Sequence, residues 1–286
     1  MTARVPAIDL REAAGVGVAG NFAGHLEQAG EAADFARVAA VDATAPKGIF
    51  PWYMPHFSGF LGEYPVSPDR LLLPDASGNH HLQIEPEVGV VFATRYDGDR
   101  VCALTPVALG AFNDCSIRRA NAAKISHKKN WGPCSKGLGP LMPVGDLEPG
   151  GGLAGLRIAS FLRRDGEAHA YGIDSAAADY SYAGATLVDW IVDRLVHQAG
   201  SDDTPLEPVG DYLALAGRPG HLVVGIGATR YTPLGEATFL DAGDESVVVV
   251  YDARIHAPDA VARAVAEGRE HGLDAASALT QIVAVA

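Results

Sequence analysis

Cysteine is scarce in this 286-residue chain: there are three, Cys102, Cys115 and Cys134, an odd number with no CxxC spacing. That excludes a disulfide framework and the usual paired-thiolate zinc site. Basic residues are also short, 22 lysines and arginines against 35 acids, for a formal net charge of -13 at pH 7. A surface of that sign repels phosphate backbones and anionic bilayers, so neither nucleic acid nor membrane is an expected partner. No uncharged apolar run approaches the roughly 18 residues of a membrane span. The opening stretch MTARVPAIDLREAAG carries Asp9, Arg11 and Glu12 where a signal peptide needs an apolar core. A cytoplasmic, soluble protein is the expectation.

What is present is ample apolar material, 48% of all residues, enough to bury the core of one large domain or two ordinary ones. It comes as short runs between turns: LQIEPEVGVVFATRY, LRIASFLRRDGE, HLVVGIGATRY and ESVVVVYDARI. Such runs read as strands. Helical spacing shows in three places. One is the alanine-rich stretch GHLEQAGEAADFARVAAV at 24–41. Another begins at Ala185 and puts Leu187, Trp190, Ile191 and Leu195 on one face; the third is the tail from Pro258 to Gln281. The fold class is therefore α+β with strands dominant. GDLEPGGGLAG at 145–155 and TPLEPVGDY at 204–212 are the clearest turn or linker signals. After Asp252 the strand pattern stops.

A few constellations could carry chemistry. Gly15, Gly17 and Gly20 spell GxGxxG, the fingerprint in which backbone amides approach a pyrophosphate at a helix start. Its context is wrong, because the charged DLREAA precedes it instead of an apolar strand, and ordinary strand and turn glycines are the plainer reading. In LQIEPEVGVV, strand alternation puts Leu82, Ile84, Val88 and Val90 on one face, and Glu85 and Glu87 on the other, roughly 6 to 7 Å apart. A solvated edge is the ordinary home for such a pair. Between strongly apolar flanks and without a basic partner, two close acids require a cation or a raised pKa.

Asp114 in FNDCSIRRAN closes the apolar run VCALTPVALGAF ahead of Arg118 and Arg119. Alone it reads as a turn aspartate. Joined to Glu85 and Glu87 it completes an all-oxygen set that selects a hard ion such as Mg2+ or Mn2+ over zinc. His25 opens a helix-like stretch and by itself is a capping or packing residue. His80 and His81 read as loop residues, since an oxygen-rich site leaves imidazole little to do. Lys128, Lys129 and Lys136 lie in SHKKNWGPCSKGLGP, solvated by default and able to neutralise an anion if folded inward.

In this order the fragments resemble the fumarylacetoacetate hydrolase superfamily. NFAGH at 21–25 is similar to that family's N-Y-x-x-H, Glu85 and Glu87 to its E-x-E, and Asn113, Asp114, Ser116 and Arg118 reproduce N-D-x-S-x-R. Leu138, Gly139 and Pro140 resemble its L-G-P, RDGE at 164–167 its N-G-E turn, and FLDAGDESV at 239–247 its F-L-x-x-G-D-x-V. The likeness spans about residues 15 to 252.

The resemblance implies a strand-rich mixed β-roll core with peripheral helices. In that arrangement an N-terminal α/β segment over 1–75 packs on a metal-binding core over 76–253; the spacing of the tail itself makes 254–286 a helical extension. It also implies a homodimer and a divalent ion, Mg2+ or Mn2+, held by Glu85, Glu87 and Asp114. The implied activity is on a small oxo-acid or 1,3-dicarbonyl, by carbon–carbon hydrolysis, decarboxylation or isomerisation. These outcomes share a step in which the ion binds two substrate oxygens and stabilises the enolate formed as a bond breaks at the intervening carbon. The resemblance makes Lys129, with Lys136 as the alternative, the enolate stabiliser and His25 a proton relay. Asn113, Arg118 and Thr229 become substrate contacts.

Three positions depart from the family pattern. Hydrolytic members carry glutamate three residues after the histidine, where this chain has Gln28, with Glu27 and Glu31 nearby. A neutral glutamine cannot take a proton, and Glu27 points elsewhere on a helix. KNWG replaces lysine-x-phenylalanine-aspartate, and GIGATR at 225–230 stands for T-G-T-P. The alternative function is therefore a non-catalytic relative that binds a metal or metabolite without turnover.

Overall fold

The computed structural model describes residues 5–31, 35, 38, 44–74, 81–118, 122–201 and 204–285. Its valine-rich runs are extended, since β-branched side chains are stiff in a helix and pack well on a pleated surface. The larger sheet runs β2 (Gly48–Tyr53), β1 (Ala14–Ala19), β13 (His221–Gly225), β5 (Pro86–Asp97), β6 (Arg100–Asn113), β8 (Gly137–Leu138). β9 (Met142–Pro143) also pairs with β6. The smaller runs β11 (Glu167–Ala170), β10 (Leu156–Arg164), β14 (Glu245–Asp252), β15 (Ala276–Ala284), β3 (Arg70–Leu72), with β12 (Ser175–Ala176) on β10. β4 (Leu82–Gln83) and β7 (Ser116–Ile117) form a separate pair. β1 with β13 and β15 with β3 are parallel, and the other pairs are antiparallel, so both large sheets are mixed.

The described helices are α1 (His25–Gln28), α2 (Gly184–His197), α3 (Val209–Leu215), α4 (Pro233–Ala237) and α5 (Pro258–Ala266). α2 buries Leu187, Trp190, Ile191 and Leu195, as its spacing predicts. No helix among the described residues is long and apolar enough to cross a membrane. The α+β, strand-dominated architecture read from the sequence is the one observed.

Two local expectations are corrected. The tail is not helical to its end: α5 stops at Ala266, and β15 pairs antiparallel with β14 and parallel with β3 inside the smaller sheet. Alanine fits either period, so its spacing concealed the strand. The β-branched Thr280, Ile282 and Val283, and a ladder of backbone partners on both sides, decide the matter. The helix expected over 24–41 is described only as the four residues of α1, followed by Gly30 at φ 70°. Residues 32–34, 36–37 and 39–43 lie outside the described residues.

Of the GxGxxG glycines, Gly15 and Gly17 are residues of β1, and Gly20 sits in the turn that follows it at φ 76°. A Cβ on Gly15 would sit 2.3 Å from the Trp52 ring, and one on Gly17 2.2 Å from the Phe50 ring. Both glycines make room for an aromatic of the neighbouring β2, not for a phosphate.

The two sheets are joined at the end of β6. Asn113 Nδ2 donates to Ser246 Oγ on β14 at 3.1 Å and to Gln281 Oε1 on β15 at 3.0 Å. The Ala111 N–H donates to Ser277 Oγ at 2.8 Å. The seam delivers the chain directly to Asp114.

Candidate metal centre

The β5–β6 hairpin sets Pro86 opposite Asn113 and Glu87 opposite Phe112. Glu85 thus enters the hairpin where Asp114 leaves it. The Glu85 N–H donates to Asn113 Oδ1 at 3.2 Å, and the Asp114 N–H donates to the Glu85 carbonyl at 3.0 Å. Two segments 28 residues apart in sequence are stitched into one site, and carboxylate oxygens of Glu85, Glu87 and Asp114 lie within 4.8 Å of one another. All three acids are buried, at 3%, 2% and 0% exposure. Glu87 Oε2 accepts from the Gly227 N–H at 2.9 Å, and a Cβ on Gly225 would lie 2.4 Å from that same oxygen. Glycine at 225 is what leaves the carboxylate its place.

Asn113, expected to touch substrate, is corrected here to a framework residue. It is fully buried, and its side-chain oxygen and nitrogen are both spent on protein partners.

Three cations reach the triad, and a fourth, Lys128, reaches the neighbouring Glu31. Lys129, just after the 3-10 turn Ile125–Lys128, places Nζ 2.6 Å from Glu85 Oε2 and 2.5 Å from Asp114 Oδ2. Lys136 Nζ lies 3.1 Å from Asp114 Oδ1 and donates to the Cys115 carbonyl at 2.6 Å. Both lysines left open by the sequence therefore reach the triad. Arg118 Nη1 lies 2.8 Å from both Glu85 Oε1 and Glu31 Oε1, and Lys128 Nζ reaches Glu31 Oε1 at 2.8 Å.

Against the cost of burial, the charges of Lys129 and Arg118 hold Glu85 well below the usual carboxylate range. Burial, reinforced by the Asp114 charge, pushes Glu87 well above it. Burial lowers Lys136, whereas Asp114 and Glu85 outweigh burial at Lys129 and raise it, so that ammonium keeps its charge.

The donor set suits a hard divalent ion. Arg118 and Lys136 touch Glu85 Oε1 and Asp114 Oδ1 as ion pairs without hydrogen-bond alignment, leaving lone pairs on two buried oxygens unspent. Glu87 has no cation within ion-pair distance among the described residues. Buried carboxylate oxygens in excess of their donors are what Mg2+ or Mn2+ requires, and a thiolate- or imidazole-seeking ion finds no such ligand in the triad. The three acids could therefore hold a metal.

His25 is buried beside them, its ring 5.3 Å from that of Tyr231. Its Nδ1 lies 2.9 Å from the Thr229 carbonyl. A carbonyl only accepts, so Nδ1 carries the hydrogen and Nε2 presents the lone pair. Burial lowers the His25 pKa and favours the neutral ring. Thr229 donates its N–H to the Pro86 carbonyl at 3.1 Å, while its buried Oγ1 has no partner. Gln28 Oε1 accepts from the Tyr231 N–H at 2.9 Å and its Nε2 donates to the Tyr231 carbonyl at 3.2 Å, which ties α1 to the loop after β13. His81 is exposed, its ring stacked on Phe239 at 4.4 Å between centroids. His80 lies outside the described residues. A cavity of about 20 Å3 borders the site, lined by His25, Glu31, Glu85, Glu87, Lys129 and Phe50 among others.

The turn that delivers Lys129 is anchored by residues the sequence did not single out. Ser126 Oγ donates to Glu207 Oε1 at 3.0 Å. Lys124 Nζ donates to the carbonyls of Ser201, Thr204 and Leu206 at 2.6, 2.8 and 3.2 Å. Glu207 is 4% exposed with a partnerless Oε2, and burial, against the Ser126 bond and the Lys124 charge, pushes its carboxyl up to about 7. Glu31 and Glu207 do not stand out in the sequence as site residues, and Lys128 stands out only as one of three lysines able to neutralise an anion if folded inward, because no short stretch shows which distant charges meet it.

A family model described as a family of unknown function (DUF5718) matches residues 31–283. The chain belongs to this family. The matched region includes Glu85, Glu87, Asp114, Arg118 and Lys129, and His25 precedes it. Among curated proteins, none matches. Solved structures share the fold. Cg1458, crystallised with an inhibitor, aligns at TM-score 0.52 and 14% identity over 96% of this chain and 77% of its own. A putative HpcE protein from Mycobacterium smegmatis aligns at 0.50 and 17% over 96% and 75%. The mixed-sheet, strand-dominated α+β fold expected from the sequence is the one these two structures share. A putative fumarylacetoacetate hydrolase family protein from Yersinia pestis CO92 aligns at 0.46 and 16% over 83% and 88%.

Proposed function

We propose that the chain is a divergent member of the fumarylacetoacetate hydrolase superfamily, a divalent-metal-dependent enzyme acting on a small oxo-acid or 1,3-dicarbonyl. The observation that carries this reading is the buried triad with the Lys129 ammonium 2.6 and 2.5 Å from two of its members. Glu85, Glu87 and Asp114 would hold the ion, and Mg2+ or Mn2+ there supplies the positive charge that polarises a substrate carbonyl.

The remaining work falls to the chain's own groups. Lys129 Nζ, fixed between two carboxylates, meets negative charge developing on a substrate oxygen without having to reorganise. The Nε2 lone pair of His25 takes or returns a proton, with Nδ1 held to the Thr229 carbonyl so that the tautomer does not change. Phe50 and Leu26 line the cavity and limit the water that reaches these groups. Gln28 is committed to the Tyr231 backbone and offers no basic oxygen to assist His25 in activating water. Decarboxylation or isomerisation therefore fits the site better than hydrolysis.

The test is thermal unfolding with and without Mn2+, followed by a panel of β-keto acids. Mn2+ is expected to raise the Tm, Glu87→Ala to abolish the rise, and the wild type to turn over at least one acid. No rise in the wild type refutes the metal reading. A rise without turnover on any acid favours the non-catalytic relative, which the Gln28 position also supports.

A further inference from the structure

Two buried cations end on one carboxylate oxygen beside the triad: Glu31 Oε1 accepts from both Arg118 Nη1 and Lys128 Nζ, each at 2.8 Å. The partners are held differently. Arg118 is fixed to the framework, since Nε donates to Gln83 Oε1 at 2.6 Å and Nη2 to the Tyr231 hydroxyl at 2.7 Å. Gln83 in turn donates to the carbonyls of Gly235 and Glu236. Lys128 ends the 3-10 turn anchored through Ser126. Glu31 belongs to neither sheet; it follows α1 and the left-handed Gly30, with its N–H donated to the Leu26 carbonyl at 2.9 Å.

Glu31 lines the cavity, whereas Arg118 and Lys128 do not, so its carboxylate stands between these cations and the space a substrate would enter. That space of about 20 Å3 is water-sized. A carboxylate-bearing substrate needs more room than that, and Glu31, which lies outside both sheets, can move aside without breaking a strand pair. Its replacement by another carboxylate also keeps the local charge unchanged.

We propose that Arg118 and Lys128 form a carboxylate-binding subsite, and that Glu31 fills it as an internal competitor which a substrate carboxylate displaces. This rests on the proposed function for what enters the site, and it adds that the substrate carries a carboxylate separate from the oxygens that face the triad. An incoming carboxylate can give one oxygen to each cation, where Glu31 shares a single oxygen between both. A competitor built into the chain lowers apparent affinity by the fraction of molecules in which it is displaced.

The test uses malonate, titrated calorimetrically in buffer containing EDTA at constant ionic strength with chloride. It compares wild type, Glu31→Ala, Glu31→Gln and the double variant Glu31→Ala, Arg118→Met. Glu31→Ala is expected to bind malonate at least about tenfold more tightly than wild type. Glu31→Gln should fall between them, and the double variant should lose the gain. Malonate binding by the Glu31 variants no tighter than by wild type overturns the proposal, as does a gain that survives loss of Arg118. If Glu31→Ala does not fold, the isosteric Glu31→Gln carries the comparison. No metal or turnover is involved, so the metal reading can fail while this one stands, and the converse.

Discussion

Replacing Glu207 by glutamine isolates the cost of keeping one carboxylate inside this protein. The wild-type carboxyl is raised from 4.5 to about 7 by burial. Between those two values the unfolded chain has released the proton while the folded chain holds it, so the wild type loses stability as pH climbs and levels off above about 7. At about 1.4 kcal/mol per pKa unit, the loss is under about 1 kcal/mol at pH 5 and about 3 kcal/mol at pH 8. Glutamine keeps an oxygen for the Ser126 hydroxyl and has no proton to lose. Urea unfolding at pH 5, 6, 7 and 8 should therefore show Glu207→Gln gaining on the wild type by about 2 kcal/mol across that range. Every other titrating group is common to the two proteins and drops out of the difference. A difference that does not vary with pH, or a variant that loses ground as pH rises, refutes the assignment of Glu207 as the buried acid that titrates near neutrality.

Two further changes probe the framework of the site. Gly17→Ala would press a methyl group to 2.2 Å from the Phe50 ring, over which Lys129 Nζ sits at 5.0 Å from the centroid. A cost of about 1–3 kcal/mol in chemical unfolding is expected from the overpacking, and a neutral result would show that β1 and β2 do not meet as described. Asn113→Ala removes the bonds to Ser246 Oγ, Gln281 Oε1 and the Glu85 N–H together. It should lower stability by at least about 2 kcal/mol even without added metal, read by urea unfolding in EDTA, and wild-type stability would contradict the role of the sheet seam.

The strands, α2 and the acidic triad were legible because each follows from a short-range pattern. Alternation in LQIEPEVGVV placed Glu85 and Glu87 on one side, and an acid closing a long apolar run marked Asp114. What pattern could not show was which charges come together from distant segments. Glu85 has no basic neighbour in sequence, yet Lys129 and Arg118 reach it from beyond the β5–β6 hairpin. Glu207 sits in TPLEPVGDY, a stretch whose two prolines signal a turn and conceal that the carboxylate points inward to Ser126. The tail misled for a different reason: alanine-rich stretches carry little periodic information, and the partners of β15 are supplied by residues 70–72 and 245–251.

The interior position of β15 imposes an order on assembly during synthesis. Residues 70–72 leave the ribosome some two hundred residues before their partners at 282–284 exist, and Gln281 must arrive before the Asn113 amide has its full set of acceptors. Until then β14 and β3 each present an open edge that another nascent chain could pair with. The acidic triad and the cations that touch it fall within residues 85–136, but the seam that holds them waits on Gln281, 168 residues after Asn113.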